Sequence, residues 1–219
     1  MPEIDNTNGD VSNEAIVELA RVVTQGPSTE EQIQAAHIKG AVPLTGPVQI
    51  VDYDSAWPRL FTREAERIRA CLGDVVQLIE HVGSTSVPGL AAKPKIDILL
   101  IVTNSADEAA YVPPLEAVGY ELRIREPEWY EHRVFKGPDT DINLHVFSPG
   151  APEIERMLLF RNWLRRNVAD RQLYERTKRE LAGRDWKYMQ NYADAKTAVV
   201  EEIMARARKG VGEEGSEGD

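Results

Sequence analysis

One segment restricts the fold of this chain more than any other: residues 96–102 read Ile-Asp-Ile-Leu-Leu-Ile-Val. Apart from Asp97, both faces of an extended strand over this segment would be apolar, which is typical of a central strand covered on both sides. Such a strand needs neighbouring strands and helices that pack on the sheet. The segment therefore predicts a sheet with helical layers around it.

Strand and helix patterns alternate on both sides of this segment. Strands are further predicted at residues 48–51, 75–82, 120–125, 132–136 and 142–147. Helices are predicted at residues 55–72, at residues 106–118 with an interruption near the start at Pro113-Pro114, and from residue 152 onward in three segments. Apolar residues at alternate positions support the strands, and apolar spacings of three and four residues support the helices. The predicted fold class is α+β: a mixed sheet flanked by helices, with a helical C-terminal third.

The negative charge of the chain lies at its two ends. Of a formal net charge of −10, residues 1–40 carry −5 and residues 211–219 carry −4. The part between them is nearly neutral and has room for a local basic pocket. Acidic termini repel a phosphate backbone, so nucleic acid is not an expected partner.

Two short helices are predicted before residue 40. The first has apolar residues on one face of residues 16–23, and the second begins at a capping box with Ser28 as N-cap and Glu31 at N3. These helices could pack on the body of the protein, on a second subunit or on a partner, and the sequence does not choose among the three.

Several classes of protein are excluded by what the sequence lacks. No run of 18 apolar residues is present, and the acidic start has no apolar stretch of a signal peptide. Cys71 is the only cysteine, which excludes an internal disulfide and a cysteine-based zinc cluster. The P-loop, dinucleotide-binding and nucleophile-elbow motifs are absent. We therefore expect a cytoplasmic protein that makes no contact with a membrane.

The stretch from Glu80 to Asp97, EHVGSTSVPGLAAKPKID, is the most informative for function. A predicted strand ends at Gly83-Ser84, where small residues would let a phosphate group approach backbone N–H groups. With twelve residues between it and Ser84, Asp97 lies in an apolar strand, where a carboxylate is costly to bury unless it is paired or bound to a metal. The alternative is a carboxylate that only caps a nearby loop.

A second polar feature lies on the strand predicted at residues 142–147. Alternation places Asp141, Asn143 and His145 on one face of this strand. On a central strand such a row suits a ligand, whereas on an edge strand it merely faces water, and the pattern leaves both interpretations open. Arg133 and Lys136, one strand earlier, would add positive charge.

Two of the four histidines have a polar setting in the sequence. His81 lies beside the glycine loop and His145 lies on the polar row, whereas His37 and His132 have no such setting. Without cysteine ligands or an HExxH-type pair, zinc is not expected. The basic residues of the C-terminal third are interpreted mostly as solvated helix faces.

These segments resemble one known family. The run EHVGSTSVPGLAAKPKIDI is similar to the GrpB family, as are VDYDSAWPRLF upstream and INLHVF, LLFRNWLR and YADAKTAVVEEI downstream. The resemblance covers roughly residues 47–208 and leaves an acidic N-terminal extension (1–46) and an acidic, flexible tail (209–219). It implies membership of the nucleotidyltransferase superfamily, whose fold is a small mixed sheet flanked by helices. In some bacteria a domain of this family is fused to dephospho-CoA kinase.

The superfamily signature matches this chain in part. Its hydrophobic-Gly-Gly/Ser element matches Val82-Gly83-Ser84, and the first acid of its acid-hydrophobic-acid triplet matches Asp97, but Leu99 stands in place of the second acid. Members of the superfamily use two or three carboxylates to hold Mg²⁺ ions that bridge a triphosphate. For the third acid Asp141 is the nearest match, with Asn143 or His145 as substitutes.

The resemblance implies nucleotidyl transfer from a nucleoside triphosphate to a small-molecule acceptor, with activation of a carboxylate for amide formation as a close variant. Asp97 and Asp141 would hold a single Mg²⁺ ion, and His145 would orient or deprotonate the acceptor. The residues that would bind the nucleotide are Gly83, Ser84, Thr85, Lys93, Arg133 and Lys196.

The alternative is a catalytically degenerate protein that binds a nucleotide or another anion, or serves as a scaffold. Leu99 favours this alternative, whereas the retained Gly83-Ser84 pair and Asp97 favour an enzyme. The nucleotide, the acceptor and the oligomeric state are not given by the sequence.

Overall fold

Five strands form one mixed sheet in the computed structural model, which describes residues 27–214 of the chain. The strands are β1 (Val76–Val82), β2 (Ile96–Val102), β3 (Glu121–Glu126), β4 (His132–Lys136) and β5 (Ile142–Phe147). Their spatial order is β1-β2-β5-β4-β3, and β2 and β5 are the parallel pair, the other neighbours being antiparallel.

Helices pack on both faces of the sheet and make up the C-terminal third. They are α1 (Glu30–Ala36), α2 (Trp57–Leu72), α3 (Val112–Ala117), α4 (Pro152–Arg166), α5 (Val168–Ala182), α6 (Met189–Asp194) and α7 (Thr197–Glu214). The predicted α+β fold class is therefore confirmed. Among residues 27–214, no helix has the length and apolar character needed to cross a membrane.

β2 is an interior strand of the sheet, between β1 and β5, as its apolar sequence predicts. Ile98 and Leu100 belong to the core cluster on the α2 side, and Leu99 and Ile101 belong to the cluster on the α4 side. Burial of both faces follows from these two layers of helix and accounts for the nearly continuous apolar run. Asp97, at the start of the strand, shares the α4-side face of β2 with Leu99.

Three sequence predictions about secondary structure need correction. The segment 48–51 is not a strand, because it forms only one isolated bridge, from Val51 to Ala92. Pro94, two residues beyond Ala92, has no N–H with which to extend the ladder. The helix predicted over 106–118, with an interruption at Pro113-Pro114, is shorter than predicted: a 3₁₀ turn (Glu108–Ala110) precedes α3, whose first turn holds the two prolines. Beyond residue 152 the structure has four helices rather than three segments.

The described part of the N-terminal extension packs on the body of the protein. Ile33 of α1 is buried, Glu30 pairs with Lys187 at 2.6 Å, and His37 bridges to Ile124 on the edge strand β3. Of the three packing arrangements left open by the sequence, this segment therefore adopts the first, and it covers part of a sheet edge.

The ends of the chain differ from the sequence prediction in detail. The capping box of α1 lies one residue later than predicted, with Thr29 as N-cap and Gln32 at N3, because the Ser28 backbone N–H donates to Asp194 instead. The helix predicted at residues 16–23 lies outside the described residues. At the other end, α7 continues to residue 214, into the segment predicted as a flexible tail.

Candidate functional site

Gly83 and Asp97 approach each other closely where β1 ends. The register of the antiparallel pair places Val82 opposite Asp97, so Gly83 follows directly beside the carboxylate. Gly83 has a φ of 68°, and a Cβ atom built on it would lie 2.4 Å from Oδ2 of Asp97. Only glycine fits here, because a side chain would be strained at this φ and its Cβ atom would clash with the carboxylate.

Asp97 is held by the neighbouring strand β5. The β2–β5 register pairs Asp97 with Asn143 and Leu99 with His145. Nδ2 of Asn143 donates to Oδ1 of Asp97 at 2.8 Å, and Nε2 of His145 lies 3.8 Å from the same oxygen, within ion-pair range when the imidazole is protonated. The polar row predicted on this strand therefore faces the site.

The Asp97 carboxylate is ionised at neutral pH. Burial is the largest influence on its pKa and acts to raise it, but the protonated form of His145, together with Asn143 and Lys93, outweighs burial and lowers the pKa to about 2. The side chain keeps 30% of its surface exposed. A charged carboxylate that is partly open to solvent is suited to bind a cation or a cation-bearing ligand.

Three lysines from separate parts of the chain lie around Ser84 and this carboxylate and form what we call the lysine cluster: Lys93, Lys178 and Lys196. Lys178, on α5, donates to Oγ of Ser84 at 3.1 Å and to the carbonyl of Ala91. Lys93 and Lys196 both lie over the ring of Tyr192, at 5.6 and 4.8 Å from its centroid.

Lys178 is buried, Lys93 and Lys196 are half-buried, and their ammonium groups repel one another. Burial lowers the pKa of Lys178 to about 7 and that of Lys93 to about 8, with Lys196 as the next contributor in each case. Burial also lowers the pKa of Lys196. Within the described residues, none of the three forms an ion pair with a carboxylate. Buried positive charge without a partner is costly, so the cluster is suited to bind an anion.

Arg133 and Thr85 are predicted ligands that the structure places elsewhere. Arg133 alternates away from the Asp97 face of the sheet, where Glu108 and Glu131 bind its guanidinium at 2.6 and 3.0 Å. Thr85 is buried, and its hydroxyl donates to the carbonyl of Lys95 at 3.2 Å. The charge of Arg133 is thus compensated by two carboxylates, and the Thr85 hydroxyl stabilises the loop between β1 and β2.

Asp141 does not join Asp97 in the structure. Its side chain is 59% exposed and pairs with Lys95 at 2.5 Å. Asn143 occupies the position opposite Asp97, and its Oδ1 accepts from Lys136 at 2.6 Å. The third-acid position is therefore filled by an amide, because Asp141 precedes the strand rather than lying on it.

Sequence reasoning missed two residues of the site. Lys178 is among the basic residues interpreted as solvated, although its spacing of four residues from Tyr174 and three from Leu181 places it on the apolar side of α5. The sequence shows no polar setting for His132, yet its Nε2 lies 3.1 Å from Nδ1 of His145. The signal for His132 exists only in the pairing of β4 with β5.

The residues present fit one Mg²⁺ ion shared with a ligand better than a two-metal centre. Within the described residues, no group of three His, Cys, Asp or Glu side chains is arranged to hold a metal ion. Mg²⁺ is commonly held by one or two carboxylates together with substrate phosphates. Asp97 supplies one carboxylate, and phosphates bound by the lysine cluster would supply the other oxygens.

A separate open cleft of about 330 Å³ lies on the outer face of α5. Its lining is rich in arginine and consists of Gly89, Arg171, Gln172, Glu175, Arg176 and Arg179. Arg179 pairs there with Asp52 at 2.6 Å and with Glu175 at 3.2 Å. Because part of its positive charge is already compensated, this cleft is a weaker anion site than the lysine cluster.

Comparisons with known proteins agree with the site's motif. A family model described as GrpB protein matches residues 47–206. A UPF0157 protein of Halalkalibacterium halodurans is 61% identical over 181 residues, which cover 83% of this chain and 93% of that protein. A dephospho-CoA kinase of Mycolicibacterium paratuberculosis is 30% identical over 164 residues, 63% of this chain and 40% of that enzyme. The crystal structure of GrpB from Enterococcus faecalis aligns with a TM-score of 0.66 at 34% identity and covers 74% of this chain and 99% of that one.

Proposed function

Because the chain belongs to the GrpB family, we propose that it binds a nucleoside triphosphate with Mg²⁺ and transfers the nucleotidyl group to a small-molecule acceptor. The observation that supports this most is the convergence of Lys178 on Ser84 and of Lys93 and Lys196 on Asp97, with none of the three lysines in an ion pair among the described residues. One carboxylate for a metal beside several cations for phosphates is the combination that a metal–triphosphate complex requires.

Each part of the site has a role in this proposal. The lysine cluster neutralises the phosphates, and Gly83 lets them approach the backbone beside Asp97. With Mg²⁺ bound, the site would gain electrostatic stabilisation of the charge that develops on the leaving pyrophosphate. Asp97 would hold the ion through its ionised carboxylate.

The transfer itself needs a base for the acceptor. An acceptor hydroxyl oxygen forms a bond to the α-phosphorus while the bond from that phosphorus to pyrophosphate breaks. The hydroxyl proton passes to Nε2 of His145, whose position 3.8 Å from Oδ1 of Asp97 lets the carboxylate stabilise the resulting imidazolium. An acceptor carboxylate would need no base and would give an activated acyl-nucleotide for amide formation.

Binding without turnover is the second candidate. It is favoured by Leu99, which is fully buried beside Val82, Phe147 and Ile154 at the position of the missing second acid. A protein of this kind would bind the nucleotide with the same residues and release no pyrophosphate. Pyrophosphate release in the presence of candidate acceptors separates the two functions.

A calorimetric titration of ATP, CTP, GTP and UTP with Mg²⁺ tests the proposed binding. We expect one nucleotide to bind, and Lys178→Met to weaken its binding by about 10- to 100-fold, since a charge-assisted hydrogen bond contributes about 1.5–3 kcal/mol. Lys39→Met is the matched control, because Lys39 lies on the edge of the sheet in an exposed pair with Glu121. Absence of binding by all four nucleotides would overturn the proposal.

The affinity of the lysine cluster for anions is expected to fall as the pH rises. Only the ammonium form attracts phosphate, and without ligand the pKa values of Lys178 and Lys93 are about 7 and about 8. Pyrophosphate should therefore bind more weakly at about pH 9 than at about pH 6, and Lys178→Met should flatten this dependence. An affinity that stays constant over this range would contradict the assignment.

The stability of the ligand-free protein should show the opposite trend. The folded-state pKa of each lysine lies below its value of 10.5 in the unfolded chain, so the unfolded chain binds more protons between about pH 7 and 10. The contribution of these groups to the free energy of unfolding therefore rises with pH across that window. Thermal melts with and without pyrophosphate measure both trends in the same samples.

A further inference from the structure

A line of polar contacts runs across the sheet from Glu126 to Asp97 through two histidines. Oε2 of Glu126 lies 2.7 Å from Nδ1 of His132, and Nε2 of His132 lies 3.1 Å from Nδ1 of His145. Nε2 of His145 then faces Oδ1 of Asp97 at 3.8 Å. The line reaches the proposed reaction centre, and its first two members have no part in the mechanism above.

Packing fixes the rings of this line in place. The ring of His132 stacks on that of Phe147, with centroids 4.5 Å apart and planes at 15°, and lies parallel to that of His145, with centroids 5.3 Å apart and planes at 8°. Trp129 contacts the same ring edge-on at 5.0 Å. Only 4% of His132 is exposed, so rotation of its ring would require these neighbours to move.

The contacts determine where the protons lie. An ionised carboxylate only accepts hydrogen bonds, so Nδ1 of His132 carries the proton that is donated to Glu126. Burial is the main reason that the pKa of His132 is lowered to about 4, so the imidazole is neutral and its Nε2 is an acceptor. Nδ1 of His145 must then be the donor between the two rings. In neutral His145, the lone pair is left on Nε2.

We propose that Glu126 and His132 are positioning residues that hold neutral His145 in its Nδ1–H tautomer, with the Nε2 lone pair directed into the site beside Asp97. The distance of 3.8 Å from Nε2 to Oδ1 agrees, because it is too long for a direct N–H···O hydrogen bond. The positioning role deepens the proposed function and rests on it, because the proposed function identifies the acceptor hydroxyl as the proton donor. When an acceptor hydroxyl gives its proton to Nε2, the imidazolium keeps its Nδ1–H bond to His132.

The tautomer is measured directly by two-bond ¹H–¹⁵N correlation NMR on the full chain labelled with ¹⁵N-histidine. The chain has four histidines, and His145→Gln identifies the signals of His145 by their loss. The spectrum is recorded at a pH at which the ring of His145 carries one proton, and we expect that proton on Nδ1 and an unprotonated Nε2. A protonated Nε2 with a bare Nδ1 would overturn the proposal.

The variant His132→Phe tests the origin of the tautomer, since phenylalanine keeps a ring in the stack and removes both nitrogens. We expect His145 to become a mixture of the two tautomers in this variant and to remain Nδ1–H in the control His37→Phe, whose ring nitrogen contacts the carbonyl of Ile33 away from the site. An unchanged His145 spectrum in His132→Phe would show that the positioning role is wrong.

The wild-type spectrum decides the tautomer even where His132→Phe fails to fold. The measurement also uses no nucleotide, so its outcome is separate from that of the nucleotide titration. A protein that binds none of the four triphosphates would overturn the proposed function while leaving the tautomer of His145 as measured.

Discussion

Asp97→Asn is expected to abolish Mg²⁺-dependent nucleotide binding while the protein stays folded. Asparagine has nearly the same shape as aspartate but lacks the charge that holds a hard cation. Loss of a direct metal ligand should exceed the roughly 10- to 100-fold effect of removing a residue that only supports one. The measurement is the calorimetric titration described above, with a thermal melt of each variant to verify folding.

Asp141→Asn is the matched control for this substitution. The sequence pairs Asp141 with Asp97 as a metal ligand, whereas the structure places its exposed carboxylate against Lys95. We therefore expect Asp141→Asn to bind the nucleotide as wild type does. If both variants lost binding equally, the prediction from the sequence would be correct and the site would need a rearrangement that brings Asp141 to the metal.

Gly83→Ala is expected to reduce both stability and binding. The added Cβ would lie 2.4 Å from Oδ2 of Asp97, and the φ of 68° is unfavourable for alanine. The backbone strain costs about 1–2 kcal/mol and forced overpacking about 1–3 kcal/mol, so the free energy of unfolding should fall by about 2–5 kcal/mol. Urea unfolding measures the loss, and the nucleotide titration measures the displacement of Asp97 from Asn143.

Gly89→Ala separates the two causes. Gly89 also has a left-handed φ, 75°, but a Cβ atom there would meet nothing within 4 Å. The free energy of unfolding of Gly89→Ala should therefore fall only by the cost of backbone strain, about 1–2 kcal/mol, and the variant should keep its affinity for the nucleotide. Equal losses of stability in the two variants would show that the contact with Asp97 is not tight.

The part of the site that the sequence predicts is the part encoded in neighbouring residues. The end of a strand at Gly83-Ser84, and an acid at the start of an apolar strand, are visible in one continuous stretch. Alternation along β5 likewise places Asn143 and His145 on one face, and the parallel β2–β5 register confirms that this face meets Asp97.

The residues that sequence reasoning misplaced are those whose partners lie far along the chain. Arg133 shares a strand with His132 but faces the opposite side of the sheet, where Glu108 binds it. Lys178 is about 94 positions from Ser84, which it contacts. A basic residue on a helix looks the same in the sequence whether it faces solvent or a buried hydroxyl.

The sequence by itself determined that β2 is an interior strand, that glycine and serine follow β1, and that Asp97 starts β2. Hydrophobic patterns and short-range spacing are enough for this, because they act within a few residues. Only the tertiary structure decided that Lys93, Lys178 and Lys196 meet, that Asn143 rather than Asp141 holds Asp97, and that His132 contacts His145. These outcomes depend on strand order and on the packing of α5–α7, and the energies that fix them come from contacts between segments that are distant in the chain.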